Sequence, residues 1–145
     1  MELESSSKSR RSSLQLTKKV NYAIVILTEL AFFQGSLSLS DIAERKNLSF
    51  SFLQRVARDL VSCNFIKSVR GKFGGYVLNM EPKNITLLSI IECVDGPIYM
   101  LPCLKNDSGL ACKTVRDCLV KSNFDKVNKE ISNYLSIFTL NDLVR

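Results

Sequence analysis

Residues Ser38 to Leu78 read SLSDIAERKNLSFSFLQRVARDLVSCNFIKSVRGKFGGYVL, and this segment carries the main signals for the fold. Ser38 and Ser49 each precede a run with helical apolar spacing, and serine is a preferred N-cap residue. Asn47 and Asn64 stand where the two helices would end, because asparagine tolerates the left-handed conformation. Two helices joined by a turn of about four residues are typical of a helix-turn-helix DNA reader.

The second of these helices has a polar side, which is where contacts to DNA would be made. Its candidate contact residues are Ser49, Ser51, Gln54, Arg55 and Arg58. Serine at a helix N-terminus suits a phosphate or a base edge, whereas glutamine and arginine suit the edges of adenine and guanine in the major groove. The same pattern is also typical of the solvated side of any amphipathic helix, so both interpretations stay open.

A β-hairpin is predicted directly after this helix. Residues 65–70 have the composition of a strand, residues 71–75 contain the glycines of a tight turn, and residues 76–78 form the returning strand. In this position a hairpin is a wing, and Arg70 and Lys72 at its tip would enter a minor groove or contact phosphate. A glycine-rich turn of this kind is also found around nucleotide phosphates, but no helix beginning with Lys-Ser/Thr follows it.

Charge and composition narrow the function. The 145 residues have a net charge of +6, and residues 38–78 contain seven basic and three acidic groups, whereas residues 79–145 contain eight of each. A basic first half favours a polyanionic partner such as double-stranded DNA. The chain has no histidine, which excludes Ser-His-Asp catalysis and histidine-ligated metals, and we expect no enzyme. No uninterrupted apolar run approaches the roughly 20 residues that are needed to cross a bilayer. The N-terminus lacks the hydrophobic core of a signal peptide, so we expect a cytoplasmic protein.

The flanking segments complete a domain of residues 15–97. Residues 1–14 are rich in serine and basic groups and are predicted to be a disordered tail. A helix is predicted from Thr17 to Phe33 with Gly35 as its C-terminal cap, and a further helix from Thr86 to Val94, ended by Gly96. The predicted fold class is therefore mainly α with a small β-hairpin: a winged helix-turn-helix domain plus a long C-terminal dimerisation helix.

Three of the five cysteines lie between residues 98 and 119, in the pattern Cys103-x8-Cys112-x5-Cys118. Residues typical of turns separate the first two, so we call residues 98–119 the cysteine loop. Thiolates gathered on a loop of a chain without a secretory signal favour a metal centre over a structural disulfide. Of the other two, Cys93 falls in the apolar helix that begins at Thr86 and Cys63 falls at the end of the second reader helix, and both are interpreted as small core residues.

The segment of residues 120–145 is predicted to mediate dimerisation. Apolar residues recur there at intervals of three and four, namely Phe124, Val127, Ile131, Tyr134, Leu135 and Phe138. Since the preceding domain has a core of its own, this stripe is expected to pack against a second copy of the chain. The alternative is that it folds back on its own domain. Thr139 is predicted to begin a short final helix.

Several of these motifs resemble the Rrf2 family of bacterial transcription regulators. The resemblance covers about residues 16–144 and is carried by Leu16-Thr17, Tyr22-Ala23, Ile42-Ala43-Glu44, Leu48-Ser49, Leu53 and Ser68-Val69-Arg70-Gly71 with Gly74-Gly75-Tyr76. It implies a winged-helix homodimer on a roughly palindromic operator, with DNA contacts at Ser49, Ser51, Gln54, Arg55 and Arg70. It also implies a [2Fe-2S] or [4Fe-4S] iron–sulfur cluster on Cys103, Cys112 and Cys118, as in the iron–sulfur cluster regulators and nitric-oxide-sensing branches.

The fourth ligand of such a cluster is left open. The iron–sulfur cluster regulators of the family have a histidine three residues after the third cysteine, where this chain has Lys121. Asp107, Asp117, another cysteine or a small molecule are the alternatives. The expected function is a repressor that senses iron, oxygen or nitric oxide. The runner-up keeps the DNA reader but has zinc or a thiol–disulfide switch at the three cysteines, and a third reading, a redox enzyme or electron carrier, lacks any Cys-x-x-Cys pair.

Overall fold

A computed structural model describes residues 15–101, 104 and 119–144, so the predicted tail and the three loop cysteines lie outside the described residues. The elements are α1 (Lys18–Phe33), α2 (Leu39–Lys46), α3 (Phe50–Ser62), β1 (Ile66–Val69), β2 (Gly75–Leu78), a 3₁₀ turn (Pro82–Asn84), α4 (Leu87–Asp95), α5 (Leu119–Ile137) and α6 (Leu140–Leu143). The order is that of a winged helix-turn-helix domain followed by a long helix. The predicted fold class is therefore confirmed, as the structural relatives below also show.

The helices begin and end for reasons that lie in the local sequence. The hydroxyl groups of Ser38 and Ser49 accept the N–H groups of residues 41 and 52, and both cap their helices as predicted. Asn47 and Asn64 have φ angles of 52° and 62°, so the predicted left-handed stops are confirmed. The first helix differs from its prediction, because Gln34 rather than Gly35 is the left-handed residue, with its N–H donated to the carbonyl of Leu30.

One apolar core joins α1, α2, α3, α4 and the hairpin. Its fully buried members include Ile26, Leu27, Leu30, Ile42, Leu53, Leu60, Ile66, Ile85, Ile90 and Leu140. The core contains no buried polar or charged side chain among the described residues. Removal of these side chains from water is the main force that holds α1, α2 and α3 in a fixed arrangement. These three helices and the hairpin β1–β2 are called the reader below.

The hairpin is antiparallel, and Ile66 pairs with Leu78 at its base and Val69 with Gly75 at its tip. Leu37, just before α2, adds a bridge to Tyr76 through two backbone hydrogen bonds of 2.8 and 3.0 Å. Glycine is required at position 75, because a Cβ there would collide with the carbonyl of Leu37. The hairpin is thus attached to the start of the helix-turn-helix on one side and to α3 on the other.

The C-terminal residues return to this domain. Leu140 donates its N–H to the carbonyl of Ile85 at 2.7 Å, and Leu87 donates to the carbonyl of Phe138 at 2.8 Å. Leu140, the first residue of α6, is fully buried in the core. The predicted restart of a helix after Thr139 is confirmed, and α6 packs into the winged-helix domain although it follows α5.

The predicted cap of α4 is also confirmed. Thr86 accepts the N–H of Ser89 while the Ser89 hydroxyl accepts the N–H of Thr86, which forms a reciprocal capping box. Gly96, with a φ angle of 84°, ends the helix one residue after its last turn. In the described part of the chain no helix is both long and apolar enough to cross a bilayer.

Candidate nucleic-acid interface

The helix α3 separates apolar and polar residues on opposite sides. Its buried side chains are Leu53, Val56, Ala57 and Leu60, which pack toward α1 and α4. The candidate contact residues Ser51, Gln54, Arg55 and Arg58 follow one another at spacings of three, one and three, and all are exposed. Such spacing places them on one side of the helix, so the fold brings together the polar residues named from the sequence.

The N-terminal end of α3 is held by a tyrosine from α1. The backbone N–H of Ser49 donates to the Tyr22 hydroxyl at 3.3 Å, and the Tyr22 ring meets the ring of Phe52 edge-on at 4.7 Å between centroids. The Ser49 hydroxyl accepts the N–H of Phe52 and lies 3.2 Å from the hydroxyl of Ser51. These contacts fix the start of the helix relative to α1, and they leave both serine hydroxyls at the surface.

The structure adds a cation to this end of α3 that the sequence reading did not name. The Lys18 ammonium lies 4.7 Å from the ring centroid of Phe52 and 5.4 Å from that of Tyr22, within the range of a cation–π contact. Lys18 is exposed, so its charge faces solvent next to Ser49 and Ser51. Only the packing of α1 on α3 reveals it, because these residues are far apart in the sequence.

The wing follows α3 through a short, well-defined connection. Phe65 donates its N–H to the carbonyl of Leu60, and Ser36 donates its hydroxyl to the carbonyl of Phe73, which ties the tip of the hairpin to the segment before α2. Arg70 and Lys72 are exposed near this tip, as the sequence predicts for a wing. Phe73 beside them is 84% exposed, the largest exposed fraction among the large apolar residues described, and the sequence reading missed it.

Ion pairing divides the basic residues of the reader into two groups. Glu29 pairs with Lys46 at 2.8 Å and with Arg45 at 3.7 Å, and Asp59 pairs with Lys19 at 2.8 Å. By contrast, no ion pair within the described residues engages Arg55, Arg58 or Arg70. Unpaired cations on α3 and the wing create the positive potential that attracts a phosphate backbone.

The cysteines fall into two sets in the structure. Cys103, Cys112 and Cys118, the predicted cluster ligands, and Asp107 and Asp117 lie outside the described residues. The described residues contain no group of three side chains suited to a metal ion. Cys63 and Cys93 are half-buried against the core, as expected for small core residues, but they are also joined by a disulfide bond that the sequence reading did not predict.

The start of the cysteine loop is attached to α5. The Asn128 side chain donates to the carbonyl of Ile98 at 3.0 Å and accepts the N–H of Met100 at 2.9 Å. Leu104 is buried, and its N–H donates to the carbonyl of Leu101. The start of the loop is therefore held between α4 and α5, next to the segment that contains the three cysteines.

Part of the apolar stripe of α5 is uncovered in the described chain, although Leu135 of the stripe packs against the core of the winged-helix domain. No residue of α5 is fully buried, and Tyr134 and Ile137 are 62% and 67% exposed. A groove of about 600 Å³ runs along this side, and its lining residues are Lys126, Val127, Glu130, Ile131, Asn133, Tyr134, Leu135 and Ile137. A continuous apolar patch of this kind marks an interaction surface.

Comparison with known proteins identifies the family. Residues 16–145 match the family model Rrf2, described as an iron-dependent transcriptional regulator. The solved structure of CymR, the global cysteine regulator of B. subtilis, is 34% identical with a TM-score of 0.68, and the match covers 90% of this chain and 96% of that one. The structure of T. potens IscR is 31% identical with a TM-score of 0.70 over 91% and 87% of the two chains.

A sequence relative agrees with both structures. The transcriptional regulator IscR of Aliivibrio salmonicida is 29% identical over 133 residues, which are 90% of this chain and 77% of that protein. The resemblance inferred from the wing and the helix-turn-helix is confirmed, and the expectation that the protein is not an enzyme agrees with a family of transcription regulators. The chain therefore belongs to the Rrf2 family of DNA-binding transcription regulators.

Proposed function

We propose that the protein is a cytoplasmic, homodimeric repressor whose affinity for its operator depends on an iron–sulfur cluster held by Cys103, Cys112 and Cys118. The observation that carries the proposal is the position of the three cysteines. In the sequence they come after α4, which ends at Asp95 and whose residues Ile90, Ile91 and Val94 are part of the reader core. A change in the cysteine loop therefore has a short covalent and packed route to the DNA-binding surface.

DNA is bound by the unpaired cations of the reader. We assign Gln54, Arg55 and Arg58 of α3 to the major groove, where arginine and glutamine can form paired hydrogen bonds to guanine and adenine. Ser49 and Ser51 at the start of α3 contact the phosphate backbone. Arg70 and Lys72 of the wing bind the adjacent minor groove or its phosphates, and they set the orientation of the reader on the duplex.

The donor set fits an iron–sulfur cluster. Such clusters are held by cysteine thiolates, and the chain has three in one segment and no histidine that would favour another metal. When bound, the cluster would react with oxygen or nitric oxide, and its occupancy would follow the iron supply. The fourth ligand stays open among Asp107, Asp117, another cysteine and a small molecule. Asn128 contributes by holding the backbone of Ile98 and Met100 at the start of the loop.

Coupling between the loop and the reader needs little energy. A difference of about 1–3 kcal/mol between two states of the protein changes operator affinity by roughly 5–150-fold. Leucine and isoleucine side chains of α4 pack on α1 and α3, so a small rotation of α4 would displace the reader helix. The same change at the base of α5 would alter the distance between the two readers of a dimer.

A second copy of the chain is the proposed occupant of the groove on α5. The apolar side chains of Val127, Tyr134 and Ile137 on this side of α5 remain exposed to solvent in the single chain. Two copies related by a two-fold axis would cover both stripes at once, because such an interface uses the same surface twice. The two readers would then contact half-sites one helical turn apart, about 34 Å along the DNA.

One comparison favours a second candidate function. The B. subtilis relative is named as a global cysteine regulator and is 34% identical to this chain in structure-based alignment. A thiol–disulfide switch or a zinc ion at the three loop cysteines would serve such a sensor in place of the cluster. Zinc and disulfides do not absorb visible light, so colour separates these alternatives from the cluster.

The experiment that tests the proposal is a visible absorbance spectrum of protein purified without oxygen, with iron and acid-labile sulfide measured on the same sample. We expect a brown protein with matched iron and sulfide. The Cys112→Ser variant should lose colour and iron while it remains a dimer, because the reader and α5 do not depend on that thiol. Cys93→Ser removes a cysteine outside the loop and should keep colour and iron, and loss of either would identify Cys93 as the fourth ligand.

The opposite result decides between the two candidates. Protein that stays colourless after reconstitution with iron and sulfide contradicts the cluster. Stoichiometric zinc in that protein would then favour the metal alternative, whereas cysteines that oxidise in its absence would favour the thiol switch. A coloured Cys112→Ser protein would instead show that the ligands are other residues.

A further inference from the structure

A pair of cysteines separate from the cysteine loop joins the reader helix to α4. Cys63 is the C-terminal cap of α3, and Cys93 lies in the last turns of α4. Their Cα atoms are 6.2 Å apart, within the range that a disulfide spans, and the two sulfur atoms are bonded. We propose that Cys63 and Cys93 form a reversible redox modification site that cross-links the DNA-reading helix to the helix leading into the cysteine loop.

The surroundings of Cys93 suit both redox states. Its sulfur lies 3.4 Å from the backbone carbonyl oxygen of Asp59, so a reduced thiol can donate a hydrogen bond there without any movement of the backbone. Asp59 is held in turn by an ion pair with Lys19 of α1. A reduced Cys93 thiol therefore has a hydrogen-bond acceptor at hand, and the two sulfur atoms can separate on reduction by rotation of the side chains alone.

The two cysteines lie at the edge of the core rather than inside it. Cys63 and Cys93 are half-buried at the edge of the core, unlike the fully buried residues beneath them. A cysteine pair of this kind in a regulator that acts on DNA meets a reducing environment, where disulfides are usually transient and redox-sensing. A fully buried pair would be protected from oxidant and reductant, and a fully exposed pair would not hold two helices together.

A peroxide is the oxidant class that the chemistry requires. The Cys63 thiolate attacks one peroxide oxygen, the O–O bond breaks, and a sulfenic acid and water are formed. The Cys93 thiolate then attacks that sulfur, and the S–S bond forms as hydroxide leaves. The hydroxide takes up a proton and becomes a second water molecule. The two thiols lose two electrons and two protons in total, and hydrogen peroxide takes up both. A dithiol reductant reverses the change by exchange through a mixed disulfide.

The bond restrains the parts of the protein that contact DNA. Cys63 and Cys93 are 30 residues apart, and the whole wing lies in the loop between them. The closed bond thus fixes the C-terminal end of α3, and with it the base of the wing, to α4. Cross-linking lowers the entropy of the unfolded chain, so the oxidised reader should melt at a higher temperature than the reduced one.

The test uses the full chain with Cys103, Cys112 and Cys118 all changed to serine. The only thiols that remain are Cys63 and Cys93, and this variant cannot hold a cluster on the loop cysteines, so its result does not depend on the proposed function. After hydrogen peroxide treatment we expect the intact mass to fall by about 2 Da. The melting temperature should rise by about 10 °C, and dithiothreitol should reverse both changes.

Controls separate the cross-link from other oxidation. The same chain with Cys63→Ser added should show no 2 Da loss and no peroxide-dependent rise in melting temperature. In wild-type protein, a tryptic peptide of residues 59–67 should be linked to one of residues 84–105 after oxidation, and fragmentation of the linked pair should place the bond on Cys93 rather than on Cys103 of the same peptide. An unchanged mass, absence of the linked peptides, or a bond that forms without any change in melting temperature each overturns the proposal.

Discussion

The helices α3 and α5 are both amphipathic, but only α3 buries its apolar side in the core. In α3 the apolar side chains Leu53, Val56 and Leu60 are completely buried, whereas no residue of α5 is buried. Amphipathic spacing predicts which side of a helix is apolar, and it does not say what covers that side. The reader satisfies its apolar surface within one chain, and α5 leaves a groove of about 600 Å³ for which we propose a second copy.

This difference assigns separate tasks to the two regions. The reader has a closed core and presents unpaired cations, so its outer surface is available to DNA. The helix α5 presents apolar surface to solvent and carries its one intrahelical ion pair, Lys129 with Asp125, at 3.1 Å. We therefore expect substitutions in α5 to change assembly and substitutions in the reader to change stability or DNA affinity.

The largest effect is expected for a charge placed in the groove of α5. Tyr134→Asp should convert the dimer to a monomer, because a buried carboxylate without a partner is strongly disfavoured at an apolar interface. Loss of bivalent binding should lower operator affinity by about 100-fold or more. Sedimentation velocity and fluorescence anisotropy on a palindromic duplex measure both quantities.

Lys129→Ala is the matched control, because it changes the net charge by the same amount on an exposed side chain of the same helix. It should remain dimeric and keep its affinity within about two-fold. If Tyr134→Asp also stays dimeric, the exposed side of α5 is not the dimer interface. The difference between the two regions would then need another explanation, such as a different protein partner.

A smaller effect, on stability, should show that α6 belongs to the reader although it follows α5. Leu140 is fully buried in the reader core, whereas Leu143 in the same short helix is 37% exposed. Leu140→Ala should lower the free energy of unfolding by about 3 kcal/mol, and Leu143→Ala by less than about 1 kcal/mol. Denaturant unfolding of both variants measures these losses of unfolding free energy. Equally small losses would show that Leu140 and α6 are not part of the core.

The smallest expected effect is on DNA affinity alone. Arg70→Ala removes an exposed wing cation that has no ion-pair partner in the described structure, and it should weaken operator binding by about 10-fold. The slope of log affinity against log salt should fall by about one if Arg70 contacts phosphate. The melting temperature should not change, because the side chain is exposed.

Lys83→Ala is the control for this variant, since Lys83 is an equally charged exposed residue paired with Glu81 at 2.7 Å. Its affinity and salt dependence should match the wild type. If Arg70→Ala behaves like Lys83→Ala, the wing does not contact DNA. Binding would then depend on α3 and on Lys18, whose charge lies against the rings of Phe52 and Tyr22.

Much of the reader could be predicted from short-range rules. Serine and threonine caps and left-handed asparagines act within three or four residues, and the structure confirms them at Ser38, Asn47, Ser49, Asn64 and Thr86. The end of α1 could not be placed to the residue, since Gln34 and Gly35 are both compatible with a stop and glycine is the commoner choice. The left-handed turn falls at Gln34, whose N–H completes a bond to Leu30.

Contacts between distant segments could not be predicted in the same way. The sequence indicated that Cys63 and Cys93 are small core residues, but only the packing of α3 on α4 brings their Cα atoms to 6.2 Å. Lys18 and Phe73 carry no local signal for function. Their roles as candidates arise from the cation–π contacts beside α3 and from the exposure of the wing tip.

The family, the order of the elements and the residues that could contact DNA were all predictable from the chain, because caps, turns and amphipathic spacing are local properties and the wing motif is distinctive. The tertiary structure decided which apolar surfaces are covered. It placed Leu140 inside the reader, left Tyr134 at the surface and joined Cys63 to Cys93. These outcomes depend on distances between residues remote in the chain, and such distances follow only from how the whole core packs.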